Sequence, residues 1–205
     1  MITVINYGLG NVQAFATLYR RMNIPAKIAT TASQLENATK LILPGVGAFD
    51  HAMELLDASG MRGALEELVL RRKVPVLGVC VGMQILAKSS EEGKLAGLGW
   101  IDGRVRRFDE STLPRPARLP HMGWNDVMPK NGTQLFNGFE QGCCFYFLHS
   151  YHFECASSDD VVAKSEYGMS FSCAVHSNNI YGVQFHPEKS HGYGTCLLKN
   201  FAEMQ

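Results

Sequence analysis

The 205-residue sequence predicts an α/β domain with a central, mostly parallel sheet flanked by helices and additional antiparallel strands in its C-terminal half. Two observations carry this. Through the first hundred residues, fully apolar strand-like runs alternate with helical patterns, as expected for a parallel sheet covered on both faces. From Trp100 onward β-rich runs dominate, separated by turn signals such as "PKNG", "SSDD" and "HSNN". The length suits one such domain, residues 1–205, with a substantial core.

The elements follow in order. Ile2 to Ile5 is a short strand that ends at the turn "NYGLGN", and a helical pattern runs from about Asn11 to Met22. Pro25 breaks it, and "AKIAT" reads as a second strand. Ser33 with Glu36 three residues later reads as a capping box for a short helix. "KLILPGVGAF" is a buried strand entering a glycine loop. Met53 to Leu56 and Leu65 to Leu70 are helical, with Gly60 between them. "VPVLGV" is another apolar strand, and "GMQILAKS" reads as the helix after it. The later strands are "GRVRRF", "HMGWNDV", "CCFYFLHSYHF", "DVVAKSEY", "SCAVHS" and "IYGVQF". Pro114, Pro116 and Pro120 mark a loop, and a last helix is predicted from Gly194 to about Glu203.

Composition excludes some classes. Lys+Arg and Asp+Glu balance at 19 each, which argues against a binder that works by neutralising phosphates. "RRK" at Arg71 to Lys73 and "GRVRRF" at Gly103 to Phe108 are the local basic candidates, read as a solvated helix end and a strand face. The first residues carry no basic segment followed by a long apolar one, so no signal peptide is read, and no apolar run is long enough for a bilayer. The six cysteines show no C-x-x-C pairing, so reduced thiols and a cytoplasmic address are expected.

The chemistry starts at "PVLGVCVGMQIL". Cys80 lies between Gly78 and Gly82 where a strand gives way to a helix. A sharp turn there crowds the neighbours at minus two and plus two, and glycine relieves the crowding. The side chain would stand above the carboxyl edge of the sheet, at a helix N-terminus that favours a thiolate. The N–H of Val81 would face an oxyanion formed by attack at Cys80.

A cysteine nucleophile needs a base, and the base an orienting partner. "VQFHPEKS" supplies both, with His186 and Glu188 on either side of Pro187. An extended backbone at His186 would put them on one side, so that Glu188 holds one tautomer of the imidazole. "LPGVGAF" adds a loop whose residues Gly45, Val46 and Gly47 could complete an oxyanion hole. No G-x-x-x-x-G-K-[ST] accompanies it, which counts against a nucleotide site.

Together these segments resemble the class I glutamine amidotransferases over nearly the whole chain. "GVCVGMQ" is similar to that family's G-x-C-x-G-x-Q elbow, and "HPE" to the rest of its Cys-His-Glu triad. "NYGLGN", "LPGVGAF", "HMGWN", "FYFLHSY", "GVQFHPEKS" and "LLKNF" extend the likeness, in order, to the glutaminase subunits of imidazole glycerol phosphate synthase in histidine biosynthesis. The resemblance implies the fold of that family. It also implies hydrolysis of glutamine to glutamate and ammonia through a thioester on Cys80, with His186 as acid and base and Glu188 orienting it. Gln84, His149, Ser150 and Tyr151 would bind substrate, without cofactor or metal. Ammonia would pass to a separate (β/α)₈-barrel synthase, giving a heterodimer whose docking face includes Asn11, Trp124 and Lys189. Trp124 in ordinary core packing is the alternative. The chain departs from the pattern at Val81, at Trp100 and Asp102, and in "HGYGTC". A similar glutaminase that supplies ammonia for amidine-bearing sugars of surface polysaccharides is the second reading.

Other classes are weaker. A cysteine hydrolase or chaperone-like relative would lack Gln84 and Glu188, and a non-catalytic binding subunit has no reason to keep the triad. A metal at His149 and His152, with His176 or His191, is disfavoured, because residues three apart in one strand face opposite sides.

Overall fold

The computed structural model describes residues 1–113, 118–139 and 142–204. Its first half alternates as the apolar runs require: β1 (Ile2–Ile5), α1 (Val12–Arg21), β2 (Ala26–Ala29), β3 (Lys40–Gly45), α2 (Phe49–Ala58), α3 (Arg62–Glu66) and β4 (Val76–Cys80). A single helical turn, α4 (Val81–Gln84), sits directly on Cys80. Then follow β5 (Ser89–Ser90), β6 (Gly103–Arg107), β7 (His121–Pro129), β8 (Cys143–His149), β9 (Tyr151–Cys155), β10 (Val161–Glu166), β11 (Ser170–Ser177), β12 (Ile180–Val183) and α5 (His191–Glu203).

The main sheet runs β2-β1-β3-β4-β12-β11-β10-β7-β8. Its first five strands are parallel neighbours and the rest antiparallel. The long return of β12 decides the site. It lies beside β4 with Gly182 opposite Gly78 and Val183 opposite Val79. On the other flank β3 sets Gly45 opposite Cys80. The carboxyl ends of β3, β4 and β12 therefore leave the sheet side by side, where parallel sheets collect ligands.

The helices bury the stripes that their sequences write. α2 buries Phe49, Ala52, Met53 and Leu56, which is one face at helical spacing. α1 starts at Asn11, whose side chain accepts the N–H of Ala14, and it buries Phe15, Ala16 and Tyr19. Under β8 and β12 lies an aromatic cluster in which Phe145 stacks on Phe185 at 4.0 Å, with Phe136 and Phe147 edge-on to Phe185.

Four expectations are corrected. The helix predicted over "GMQILAKS" stops after one turn. The carbonyls of Ile85, Leu86, Ala87 and Lys88 accept from Leu98, Ile101, Gly99 and Gly97, so no continuing helix can use them. Ser33 and Glu36 form no capping box. The segment is a four-residue 3₁₀ turn entered at Thr31, and Gln34 rather than Glu36 reaches back, accepting from Thr30 N at 2.7 Å. "CCFYFLHSYHF" is two strands: it breaks at Ser150, β8 pairs with β7, and β9 pairs with β6. The last helix begins at His191, three residues before Gly194. Of the predicted proline loop, Pro114 and Pro116 lie outside the described residues.

The basic segments are engaged. Arg104 and Arg106 pair with Glu154, Arg106 also with Glu91, and Arg107 with Glu110. Arg71 pairs with Glu67, while Arg72 donates to the Glu36 carbonyl. Exposed pairs of this kind stabilise little.

The elbow depends on bare glycine. A Cβ on Gly82 would stand 1.9 Å from the Leu43 carbonyl oxygen, and one on Gly78 2.5 Å from the Gly82 oxygen. Both obstacles are backbone held in place by the sheet and the elbow, so they cannot step aside. Gly82→Ala is expected to destabilise the protein by about 3 kcal/mol, read as a lowered urea midpoint. An unchanged midpoint would contradict this account of the packing.

Candidate active site

Cys80 holds φ 56° and ψ −115°, a conformation that costs a residue with a side chain on the order of 1–3 kcal/mol. The strain lifts its sulfur out of the strand and aims it into a cavity of about 330 Å³. That is the low end of the size range for small-molecule sites. Val46, Gly47, Val81, Gln84, Glu92, Leu148, His149, Ser150, Tyr151, His186 and Lys189 share the wall. The two segments that the sequence analysis joined by chemistry are thus joined in space.

His186 N donates to the Tyr146 carbonyl at 2.8 Å, and the Ser190 hydroxyl donates to the His186 carbonyl at 2.6 Å. The first bond, with the Tyr146 N–H donating to the Ser190 hydroxyl at 3.0 Å, fastens the loop after β12 to β8, and the second closes that loop on itself. His186 itself is extended, at φ −103° and ψ 92°, as Pro187 requires. Glu188 lies in a 3₁₀ turn, so it reaches the ring by a bend rather than along one strand face. Its Oε1 stands 2.8 Å from His186 Nδ1, with both side chains almost completely buried. Burial pushes the His186 pKa down. Hydrogen bonding and opposite charge from Cys80 and Glu188 push it up further, to about 10. The imidazolium is therefore the favoured state beside Cys80.

Val81 opens the one-turn helix, so its N–H has no partner within that helix. Val46 and Gly47 face the cavity, with Gly47 at φ 88°, while Gly45 is not among the lining residues. Gly45 is packed behind the elbow, where a Cβ would lie 2.3 Å from Gly82 N. The buried Tyr7 hydroxyl donates to the Pro44 carbonyl at 2.8 Å and braces this loop from below.

Gln84 is buried, and its Nε2 donates to the Tyr151 carbonyl at 3.2 Å and to Gln184 Oε1 at 3.0 Å. Gln184 Nε2 in turn lies 3.8 Å from the Cys80 sulfur. Sequence reasoning missed Gln184, although a polar residue inside the apolar run "YGVQF" was the available signal. It also missed Glu92, whose carboxylate lines the cavity and accepts the Phe49 N–H at 2.8 Å. Glu92 supplies the acceptor that the methyl side chain of Ala48, the N-cap residue of α2, cannot.

His149 and His152 do not face opposite sides. The break at Ser150 lets both rings pack on Phe108, at 5.4 and 4.8 Å, and on Phe171. His176 stacks on Tyr181 and His191 on Trp124, and among the described residues no group of three His, Cys, Asp or Glu could hold a metal ion. Trp124 is 47% exposed, so core packing is not its role. Lys189 is exposed with its ammonium 5.7 Å from the Tyr146 ring, and Asn11 is exposed as the cap of α1. Cys143 and Cys155 are pushed up to about 12 by burial, and Cys173 well up by the same cause. Burial thus disfavours the thiolate at these three positions.

Fold and site together define an α/β protein with a cysteine on a strained strand-to-helix turn and a histidine–glutamate pair from the adjoining strand. The chain belongs to the class I glutamine amidotransferases: the family model described as "Glutamine amidotransferase class-I" matches residues 3–204. It is 59% identical over 204 residues, covering all of both chains, to the protein of Bdellovibrio bacteriovorus named imidazole glycerol phosphate synthase subunit HisH. The HisH subunit of Leptospira interrogans is 48% identical and the subunit HisH 2 of Pseudomonas aeruginosa 44%, again over the full length of both chains. A crystal structure of a glutamine amidotransferase superposes with a TM-score of 0.76 at 20% identity, over 98% of this chain and 97% of that one. The structure of PurLQS from Thermotoga maritima does so at 0.70 and 18%, over 98% and 96%. At these identities the structures speak for the fold.

The buried pair His121 and His149 generates a pH prediction. Burial lowers His121 from 6.5 to about 4, and burial with the neighbouring His121 lowers His149 to about 3. Below about pH 6.5 the unfolded chain takes up protons that the folded chain refuses. Stability should therefore fall as pH drops from about 6.5 toward 4, read as a declining denaturant midpoint. A flat profile between pH 6.5 and 4.5 would contradict neutral burial of the pair.

Proposed function

We propose that this chain is the glutaminase subunit of an imidazole glycerol phosphate synthase, with Cys80, His186 and Glu188 as its catalytic triad. The observation that carries the triad is the buried 2.8 Å His186–Glu188 pair delivered by β12 to the flank of the Cys80 elbow. The names of full-length relatives at 44–59% identity support the synthase and its role in histidine biosynthesis over the polysaccharide reading.

With Nδ1 engaged by Glu188, His186 presents Nε2 to the sulfur and holds the proton that the thiol gives up. The thiolate attacks the side-chain amide carbon of glutamine. The new oxyanion is received by Val81 N–H and, once a peptide turns inward, by the loop at Val46 and Gly47. His186 then gives its proton to the departing nitrogen, and ammonia leaves a γ-glutamyl thioester on Cys80. The same imidazole takes a proton from water, hydroxide attacks the thioester, and glutamate departs as the sulfur recovers its charge. Glu188 stabilises each cationic stage of His186. Gln84, His149, Ser150 and Tyr151 form the wall that recognises the rest of the substrate. Glu92 places a carboxylate where the α-ammonium group of an amino acid can be held.

Ammonia is a nucleophile only unprotonated, so its use requires a sheltered path to a second subunit. We place that partner, a (β/α)₈ barrel, on the exposed side of β7 and β8, where Met122 (66%), Trp124 (47%) and Leu148 (38%) stand out and Lys189 lies over the Tyr146 ring, with the exposed Asn11 at the start of α1 as a further contact. The six free thiols suit a reducing compartment such as the cytoplasm. Among the described residues no helix is long and apolar enough to cross a membrane.

The test is glutamate release from glutamine, with and without the cyclase subunit. Cys80→Ala should abolish it while leaving the circular dichroism spectrum unchanged. Glu188→Gln should lower kcat by on the order of 10³. Full turnover by Cys80→Ala would end the reading. Trp124→Ala should leave unstimulated hydrolysis intact and weaken binding of the cyclase by at least about tenfold in a titration, and undiminished binding would remove Trp124 from the interface.

A further inference from the structure

The cavity wall leans on a residue outside it. β7 and β8 pair with His121 directly opposite His149, and both rings are buried, at 3% and 6% exposure. His121 Nδ1 lies 3.0 Å from His149 Nε2. His149 Nδ1 lies 2.8 Å from the Tyr151 carbonyl, and Asn125 Nδ2 3.1 Å from His121 Nε2. The protons have one consistent arrangement. A carbonyl only accepts, so Nδ1 of His149 carries hydrogen and its Nε2, on a neutral ring, is bare. His121 must then donate from Nδ1 and accept at Nε2. Asn125 can only donate there, because its Oδ1 takes the Asp126 N–H at 2.9 Å and its Nδ2 also serves the Glu166 carbonyl at 2.8 Å. Adding a proton to either ring would set two donors face to face, which agrees with the lowered pKa values of both.

We infer that His121 is a positioning residue for glutamine binding: by donating to His149 it locks the tautomer that holds the Tyr151 carbonyl, and with it the Gln84 amide, in the cavity wall. The carbonyl is the junction. It accepts from His149 and from Gln84, and Gln84 passes the constraint through Gln184 to the Cys80 sulfur. The opposite tautomer of His149 would turn a lone pair toward Tyr151 O, and carbonyl and amide would part. His121 never reaches the cavity: it is stacked between Phe147 at 4.8 Å and Tyr167 at 4.1 Å.

This role rests on the cavity being the glutamine site, and its test separates the two. His121→Phe keeps the stacked ring and removes the donor, while His121→Asn returns an N–H near the place of Nδ1. Assayed in complex with the synthase subunit, His121→Phe should raise KM for glutamine about tenfold, the equivalent of about 1.4 kcal/mol, with kcat within about threefold of the parent. His121→Asn should bring KM back to within about threefold of the parent. An unchanged KM in folded His121→Phe, or no recovery in His121→Asn, would overturn the inference. Long-range ¹H–¹⁵N spectra of the histidine rings in the unsubstituted protein test it without substrate and without a variant that must fold. Both rings should be neutral Nδ1–H tautomers at pH 7. A cationic ring or an Nε2–H tautomer at either position would overturn the inference even if glutamine is turned over normally.

Discussion

The strained backbone at Cys80 is the constraint on which the rest of this structure depends. A side-chain-bearing residue at φ 56° persists only if its surroundings leave no alternative. Here the surroundings are sheet on both sides. β3 and β12 grip β4 in parallel register, and α4 is pressed so close to the end of β3 that Gly82 nearly touches the Leu43 carbonyl. The sulfur cannot relax back into the strand, so it is presented to the cavity.

The same grip delivers the partners. Because β12 is hydrogen-bonded to β4, the residues that follow it must emerge beside Cys80, and Pro187 starts the turn that brings Glu188 under the His186 ring. Because β3 flanks β4 on the other side, the Val46–Gly47 loop emerges there. His186, Cys80 and the Val46–Gly47 loop thus follow three neighbouring strand ends, and their alignment follows from strand spacing. The wall that faces them is built differently. It depends on buried amides and imidazoles whose hydrogen bonds all have to be satisfied together, and such networks hold only when complete.

Much of the site was legible because its chemistry is local in the chain. Gly78, Cys80 and Gly82 declare an elbow within five residues, and His186, Pro187 and Glu188 set an imidazole and a carboxylate two residues apart. The unread parts depend on partners distant in sequence. Gln184 looks like one more strand residue until β12 is set beside β4. The short α4 looks like a longer helix until the carbonyls of Ile85 to Lys88 are claimed by residues 97 to 101. His149 and His152 look opposed until Ser150 ends one strand and sends the chain into another.

The parallel α/β frame, the cysteine elbow and the histidine–glutamate pair were thus written in the chain before it folds. Apolar periodicity and residue types at short spacing need no distant partner to be read. Other features came only with folding: which strand adjoins β4, the outward face of Trp124 against the inward face of His121 and Asn125, and the hydrogen bond shared by two histidines 28 residues apart. Those are matters of register and strand order. Sliding the β7–β8 ladder by one residue would exchange the two faces without changing a letter of the sequence.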